Sequence, residues 1–237
     1  GRVSRHNAFP LSESLDHIGP IAGSVEDAAL ILNAIAGFDI DDPTSLDLEV
    51  PDFTQGIGRD PTGLRIGIDA NYNLTVDPEV GAALNKVADI LSGLGAEIVE
   101  IDVSGIEEGA QRWFTLTGVE ASIHHKDYYP SRAEEYGPVF RSLLEHGTSC
   151  SSDEVSLAYT ARARIRQIMT RALQSADMLL CPSFAGPPPS LEEFPPQLVL
   201  PAEAVDPIVL YQAPFNFSGN PTISLPMGFS TSRLPLS

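Results

Sequence analysis

Residues 64–101 constrain this chain more than any other stretch. Leu64-Arg65-Ile66-Gly67-Ile68-Asp69 has the length and composition of a short buried strand. Asp77-Pro78 then supplies an N-cap with proline in the first helical turn, where a missing N–H leaves no hydrogen bond unmade. Val80, Leu84, Val87, Leu91 and Leu94 recur at helical spacing up to Gly95, and Glu97-Ile98-Val99-Glu100-Ile101 starts a second strand at once. Strand, helix and strand joined this tightly make a β-α-β unit, which is right-handed and lays its strands parallel in one sheet. The fold class is therefore α/β, a mixed, partly parallel sheet covered by helices. No G-x-G-x-x-G occupies the first joint, so the unit reads as scaffold and not as a dinucleotide site.

Other elements fall around it. After Pro20, Ser24 is a natural N-cap and Asp27, three residues on, completes a shortened capping box. Ala28, Ala29, Ile31, Leu32 and Ile35 make an apolar face, and Gly37 stops that helix. Residues 39–59 read as a long surface loop with few catalytic groups. Residues 110–126 and 153–175 have helical periodicity, the latter carried by Val155, Ala158, Ala161, Ile165, Ile168 and Leu173, with turns at Tyr129-Pro130 and Tyr136-Gly137-Pro138 between them. Residues 177–182 read as a strand ended by proline, 182–207 as an irregular proline-rich path, and 222–226 as a last strand.

Charge and size exclude several classes of function. The 32 acidic against 14 basic residues leave a net charge of −18, which repels phosphate backbones and anionic membranes, so neither nucleic acid nor membrane is an expected partner. The longest apolar run, residues 28–37, is far short of the roughly 20 residues that span a bilayer. Cys150 and Cys181 could form one bridge at most and read as reduced thiols, which points to the cytoplasm. No initiator Met or signal peptide opens the sequence, so the expectation is a chain that starts within a longer protein.

A nucleophilic serine needs a neighbouring base and a glycine-rich turn, and G-x-S-x-G is absent. Ser218 and Ser230 lie beside glycines but read as turn residues, and Ser151-Ser152 as a helix cap. A serine–lysine mechanism needs a buried lysine, whereas Lys86 and Lys126 read as solvated. His124-His125-Lys126 with Glu120 lacks metal-ligand spacing and reads as a solvated helix face. Arg162, Arg164, Arg166 and Arg171 are expected to pair with carboxylates.

The segment Gly1-Arg2-Val3-Ser4-Arg5, Ser14-Leu15-Asp16-His17-Ile18-Gly19-Pro20 and Ser24-Val25-Glu26-Asp27-Ala28-Ala29 closely resembles the amidase signature family. So do Gly63-Leu64-Arg65-Ile66-Gly67, Asp177-Met178-Leu179-Leu180-Cys181-Pro182 and Ala213-Pro214-Phe215-Asn216-Phe217-Ser218-Gly219-Asn220-Pro221, in the same order. The resemblance implies hydrolysis of a carbon–nitrogen amide bond through a serine acyl-enzyme, aided by a second serine and a lysine, with no cofactor and no metal. Those groups precede the Gly-Arg-Val-Ser element in the family. Residues 1–237 are thus expected to be the C-terminal portion of a single amidase-signature domain, lacking the upstream catalytic region and the extreme C-terminus, with no catalytic residue of their own and no activity alone.

By the same resemblance Asp16 and His17 lie near the acyl pocket, Asp16 positioning the catalytic loop or merely capping its turn. Gln212, Phe215 and Asn216 belong to a proline-pinned loop lining the substrate cavity, Asn216 alternatively bonding its own turn. Glutamine-using relatives carry an Asp about seven residues before this Asn, where Val209 stands here, which lowers the glutamine reading and favours a general amidase with an uncharged or unknown side-chain preference. The implied partners are a small amide substrate and either a second copy of the chain or the missing N-terminal half. The alternative is a non-enzymatic family member acting as a structural or partner-binding module.

Overall fold

Asp77 accepts the Glu79 N–H at 2.8 Å, and from that cap α2 runs Pro78–Gly93 with Val80 and Leu84 buried. It links β1 (Arg65–Ile68) to β2 (Glu97–Glu100), which pair in parallel with Arg65 opposite Glu97, as the β-α-β reading requires. The structure, a computed structural model, describes residues 1–74, 76–192 and 209–237, which fall in two compact units, Gly1–Asp60 and Pro61–Ser237.

In the second unit β3 (Met178–Leu179) joins the other side of β1, giving the strand order β2-β1-β3, all parallel. Its length is two residues, shorter than the six expected. Gly67 in β1 admits no side chain, because a Cβ there would stand 2.6 Å from Ile101 Cδ1 and 2.9 Å from Ala176 Cβ. Helices form the other layer. In it α3 (Glu108–His125) packs against α4 (Pro138–Ser149) and α5 (Ser152–Ala172). Leu116, Leu144 and Ile165 are fully buried there, each contributing about 2 kcal/mol by removal from water. Ser151 and Glu154 form a complete capping box, as the cap reading of that serine pair requires. The buried stripe of α5 is Ala158, Ala161, Ile165, Met169 and Ala172, while Val155, Ile168 and Leu173 lie on its half-buried flank.

Two expectations need correction here. The turn at Tyr136-Gly137-Pro138 opens α4, with Pro138 in its first turn; proline there starts a helix as readily as it ends one. Residues 222–226 form no strand. Pro221 precedes them and Pro226 ends them, and Ile223 and Leu225 are exposed. Instead β4 (Gly228–Phe229) and β5 (Pro235–Leu236) pair antiparallel just beyond as a separate two-stranded sheet, so the fold is α/β as expected but its parallel and antiparallel strands lie in two sheets and not in one mixed sheet. The proline-rich path is irregular through residue 192, and its remainder, 193–207, lies outside the described residues.

The first unit is built around α1 (Val25–Ile35). Ser24 Oγ accepts the Asp27 N–H at 3.0 Å, and the same hydroxyl donates to the Asp27 carboxylate, so the expected return bond goes to the side chain of Ser24 and not to its backbone. The helix ends on extended Ala36, which bridges Val3, and not on a left-handed Gly37. Of the expected apolar face, Ala29 alone is buried; Ile31 and Ile35 are about 40% exposed. Residues 39–59 carry no helix or strand, and Asn33 of α1 anchors them by donating to Asp52 and accepting the Phe53 N–H.

Candidate functional site

In the first unit, a turn closes when Leu15 and Asp16 donate their N–H groups to the Ser12 carbonyl, and the Asp16 carboxylate then accepts the Leu11 and Ser12 N–H groups at 2.8 and 3.0 Å. Asp16 therefore fixes its own turn, the plainer of the two expected roles. His17 Nδ1 lies 2.8 Å from the Leu15 carbonyl, which can only accept; in the neutral ring that nitrogen carries the proton and Nε2 is the basic edge. Both residues line a cavity of about 360 Å³ within this unit, together with Arg5, Glu13 and Asp42.

The cavity wall depends on two residues that sequence reasoning passed over. Arg5 donates to the Glu13 carbonyl at 2.7 Å, to the Glu13 carboxylate at 3.0 Å and to Thr44 Oγ1. Asp42 is buried in a loop expected to be all surface, and it accepts the Arg5 N–H at 2.8 Å together with the N–H and hydroxyl of Thr44. The Arg5 N–H, then the Thr44 donors, hold its carboxyl at about 2 against the desolvation that would raise it. Only the placement of charges in a folded loop exposes this pairing; the sequence signal is the Asp-Pro-Thr-Ser at 42–45, a natural Asx turn.

The remaining candidates lie in the second unit. Gln212, Phe215 and Asn216 do not sit in a loop: residues Ala213–Ser218 form a short helix, α6, with Pro214 in its first turn and Gly219 at φ 76° closing it. Proline at that position directs helix start, which is why a loop reading failed. Phe215 and Asn216 are half-buried, and exposed Gln212 reaches the Ser183 carbonyl at 3.4 Å. The segment entering α6 is locked by two tyrosines: Tyr211 donates to the Tyr72 carbonyl at 2.8 Å, Tyr72 donates to the Leu210 carbonyl at 2.9 Å, and their rings are 4.9 Å apart. Val209, just ahead of that segment, is buried.

The structure thus brings Asp16 to His17, and Gln212 to Phe215 and Asn216, the two sets belonging to different units. Ser218 ends α6 with its hydroxyl on the Phe215 carbonyl, and Ser230 accepts the Leu234 N–H within a tight turn. Lys86 and Lys126 are exposed. His125 departs from the solvated-face expectation. It is half-buried, its Nδ1 2.9 Å from the Tyr136 hydroxyl and its ring edge-on to Tyr136 and Phe140, and burial, then the nearby His124, pushes its pKa down. Glu120 is buried and accepts from Tyr159. Among the described residues no group of three or more His, Cys, Asp or Glu is placed to hold a metal ion, and no helix is long and apolar enough to cross a membrane. Arg164 pairs with Glu108 as expected, but Arg162 and Arg166 donate to backbone carbonyls, because α6 packs against that face of α5. Cys181 is half-buried, and desolvation pushes its thiol up to about 12, away from the reactive thiolate.

Comparison with known proteins agrees with this architecture. The Amidase family model matches residues 1–237. An amidase of Pseudomonas putida is 37% identical over 243 residues, covering 99% of this chain and 51% of that protein. A glutamyl-tRNA(Gln) amidotransferase subunit from Geobacter sp. (strain M21) is 30% identical over 266 residues, covering 100% of this chain and 53% of that protein. The crystal structure of a bacterial aryl acylamidase belonging to the amidase signature enzymes aligns at a TM-score of 0.76 and 25% identity, covering 100% of this chain and 51% of the other. The chain spans about half the length of the curated relatives it matches.

Proposed function

The chain belongs to the amidase family, and from that membership we propose that the complete protein hydrolyses a carbon–nitrogen amide bond through a serine acyl-enzyme. This chain is then the C-terminal portion of the domain, and the reacting serine, its partner serine and the lysine lie upstream of Gly1. The observation that carries the reading is the family match along all of residues 1–237 in a chain half as long as its relatives. The exposed lysines and the turn-bound hydroxyls of Ser218 and Ser230 support it, since no lysine of this chain stands beside either serine hydroxyl among the described hydrogen bonds. Apolar side chains left in solvent, among them Leu30, Ile31, Ile35, Ile223 and Leu225, support a body that continues beyond this chain.

In the reaction the serine oxygen adds to the amide carbonyl, the C–N bond breaks, and the amine leaves with the proton relayed from the serine. Water then adds to the resulting ester, releases the carboxylic acid and restores the serine. This chain contributes walls. Phe215 offers an apolar surface to the acyl group, Asn216 a polar one, and Asp16 and His17 shape the cavity of the first unit. Val209, where glutamine-using relatives carry an Asp, supports a general amidase of uncharged or unknown side-chain preference over a glutamine-using one.

The test is turnover of simple amides by residues 1–237 and by the complete protein. Activity in the complete protein alone is the expected result. Turnover by this chain that survives Ser218→Ala and Ser230→Ala would overturn the placement of the chemistry.

A further inference from the structure

A helix as short as α6 does not hold itself together in water, where about 12 to 15 residues are needed even for good helix formers. Its N-terminus receives no side-chain cap from Gln212, and Pro214 brings no N–H. The tyrosine pair fixes the chain before it. At the C-terminus, Gly219 N–H closes on the Phe215 carbonyl at 2.8 Å, which leaves the carbonyls of the last residues without helical partners.

Two guanidiniums meet those carbonyls. Arg162 Nε donates to the Phe217 carbonyl at 3.3 Å, and Arg166 Nε donates to the Ser218 carbonyl at 3.2 Å. The two arginines are one turn apart on α5, a spacing at which like charges repel. The negative end of the α6 dipole offsets that repulsion. A second offset is buried Glu120 on α3, held by the Tyr159 hydroxyl at 3.1 Å, whose charge counters the burial and the Arg166 charge that both weaken Arg162.

We propose that Arg162 and Arg166 are positioning residues that clamp α6 by its C-terminal carbonyls and so set where Phe215 and Asn216 stand toward substrate. The consequence for substrate rests on the reading of α6 as a cavity wall; the clamp itself does not.

The test has two arms, run on Arg162→Met, Arg166→Met, the double variant and the two Arg→Lys variants. The first arm is amide hydrogen exchange on the complete protein, comparing α6 with α2. In the double variant, exchange at 215–219 rises at least about tenfold while α2 is unchanged. Unchanged exchange at α6, or an equal rise throughout the chain, overturns the clamp. The second arm is amide hydrolysis by the complete protein: KM rises severalfold in the Met variants at nearly constant kcat, and Lys, a single donor point without the guanidinium fork, restores part of the loss. Loosened α6 with unchanged KM and kcat overturns the role toward substrate. If the wild-type protein hydrolyses no amide, the amidase reading falls and the exchange arm still decides the clamp.

Discussion

Gly147→Ala tests the tightest joint in the helical layer. At the crossing of α3 and α4, a Cβ built on Gly147 stands 1.9 Å from the Gly118 carbonyl oxygen, 2.1 Å from its carbon and 2.7 Å from Val119 N. All three are backbone atoms, so no rotamer change relieves the clash, and α4 must retreat from α3 by more than about 1 Å to regain van der Waals separation. A gap of that size forfeits roughly a quarter to a half of the dispersion energy along the joint, where Leu143 and Leu144 are buried. Overpacking of this kind costs up to about 3 kcal/mol, and backbone against backbone belongs at the upper end. With urea m-values of roughly 1 to 3 kcal/mol/M, the midpoint should fall by about 1 M or more in a denaturation followed by far-UV circular dichroism. Two further alanines order the series. Gly118→Ala meets the Leu143 carbonyl at 3.0 Å and should lose less, while Gly93→Ala in α2 meets nothing within 4 Å among the described residues and should gain up to about 1 kcal/mol from helix propensity. A Gly147→Ala midpoint equal to wild type, or above that of Gly118→Ala, would refute the reasoning.

Two other substitutions bear on single polar groups. Thr117 is fully buried on α3 with no hydrogen-bond partner for its hydroxyl among the described residues, so Thr117→Val, nearly the same shape, should raise stability by about 1 kcal/mol, read as a higher melting temperature; a lower one would mean that the hydroxyl is satisfied. Asp42 has a folded pKa of about 2 against an ordinary 3.8, so its contribution is complete above pH 4 and is lost as pH falls from there through 2. Fluorescence-monitored acid unfolding of residues 1–237 carrying Phe9→Trp as a reporter in the first unit should show a transition in that window, and Asp42→Asn should remove it by destabilising the unit already at pH 7. An Asp42→Asn profile identical to that of its parent would show that the Arg5 and Thr44 donors do not depend on the charge.

What could be read from the sequence was whatever depends on neighbours in the chain. Asp77-Pro78, Ser24 and Ser151 announce their helices because a cap and its first turn lie within four residues, and the parallel pairing of β1 with β2 follows from the length of the helix between them. Pro138 and Pro214 misled because proline in a first turn and proline in a loop have the same local signature, and the choice is made by what α4 and α6 pack against. Residues 222–226 misled in the opposite sense. Their apolar alternation suits a strand, but a strand exists only with a partner to bond, and prolines at 221 and 226 narrow the choice. The same divide runs through the candidate site. Asp16 was legible because the amides it accepts lie four and five residues away, whereas the pairing of Arg5 with Asp42 and the hold of Arg162 and Arg166 on α6 join residues 37 to 55 apart. Runs of arginine in so acidic a chain invite carboxylate partners by composition, yet helix ends compete for the same donors. A carbonyl at the end of a short helix has no intrahelical donor, while a surface carboxylate always has water. The side chain therefore goes where its absence would leave the larger desolvation penalty, which makes distant guanidinium–carbonyl bonds the feature of this site least visible before folding.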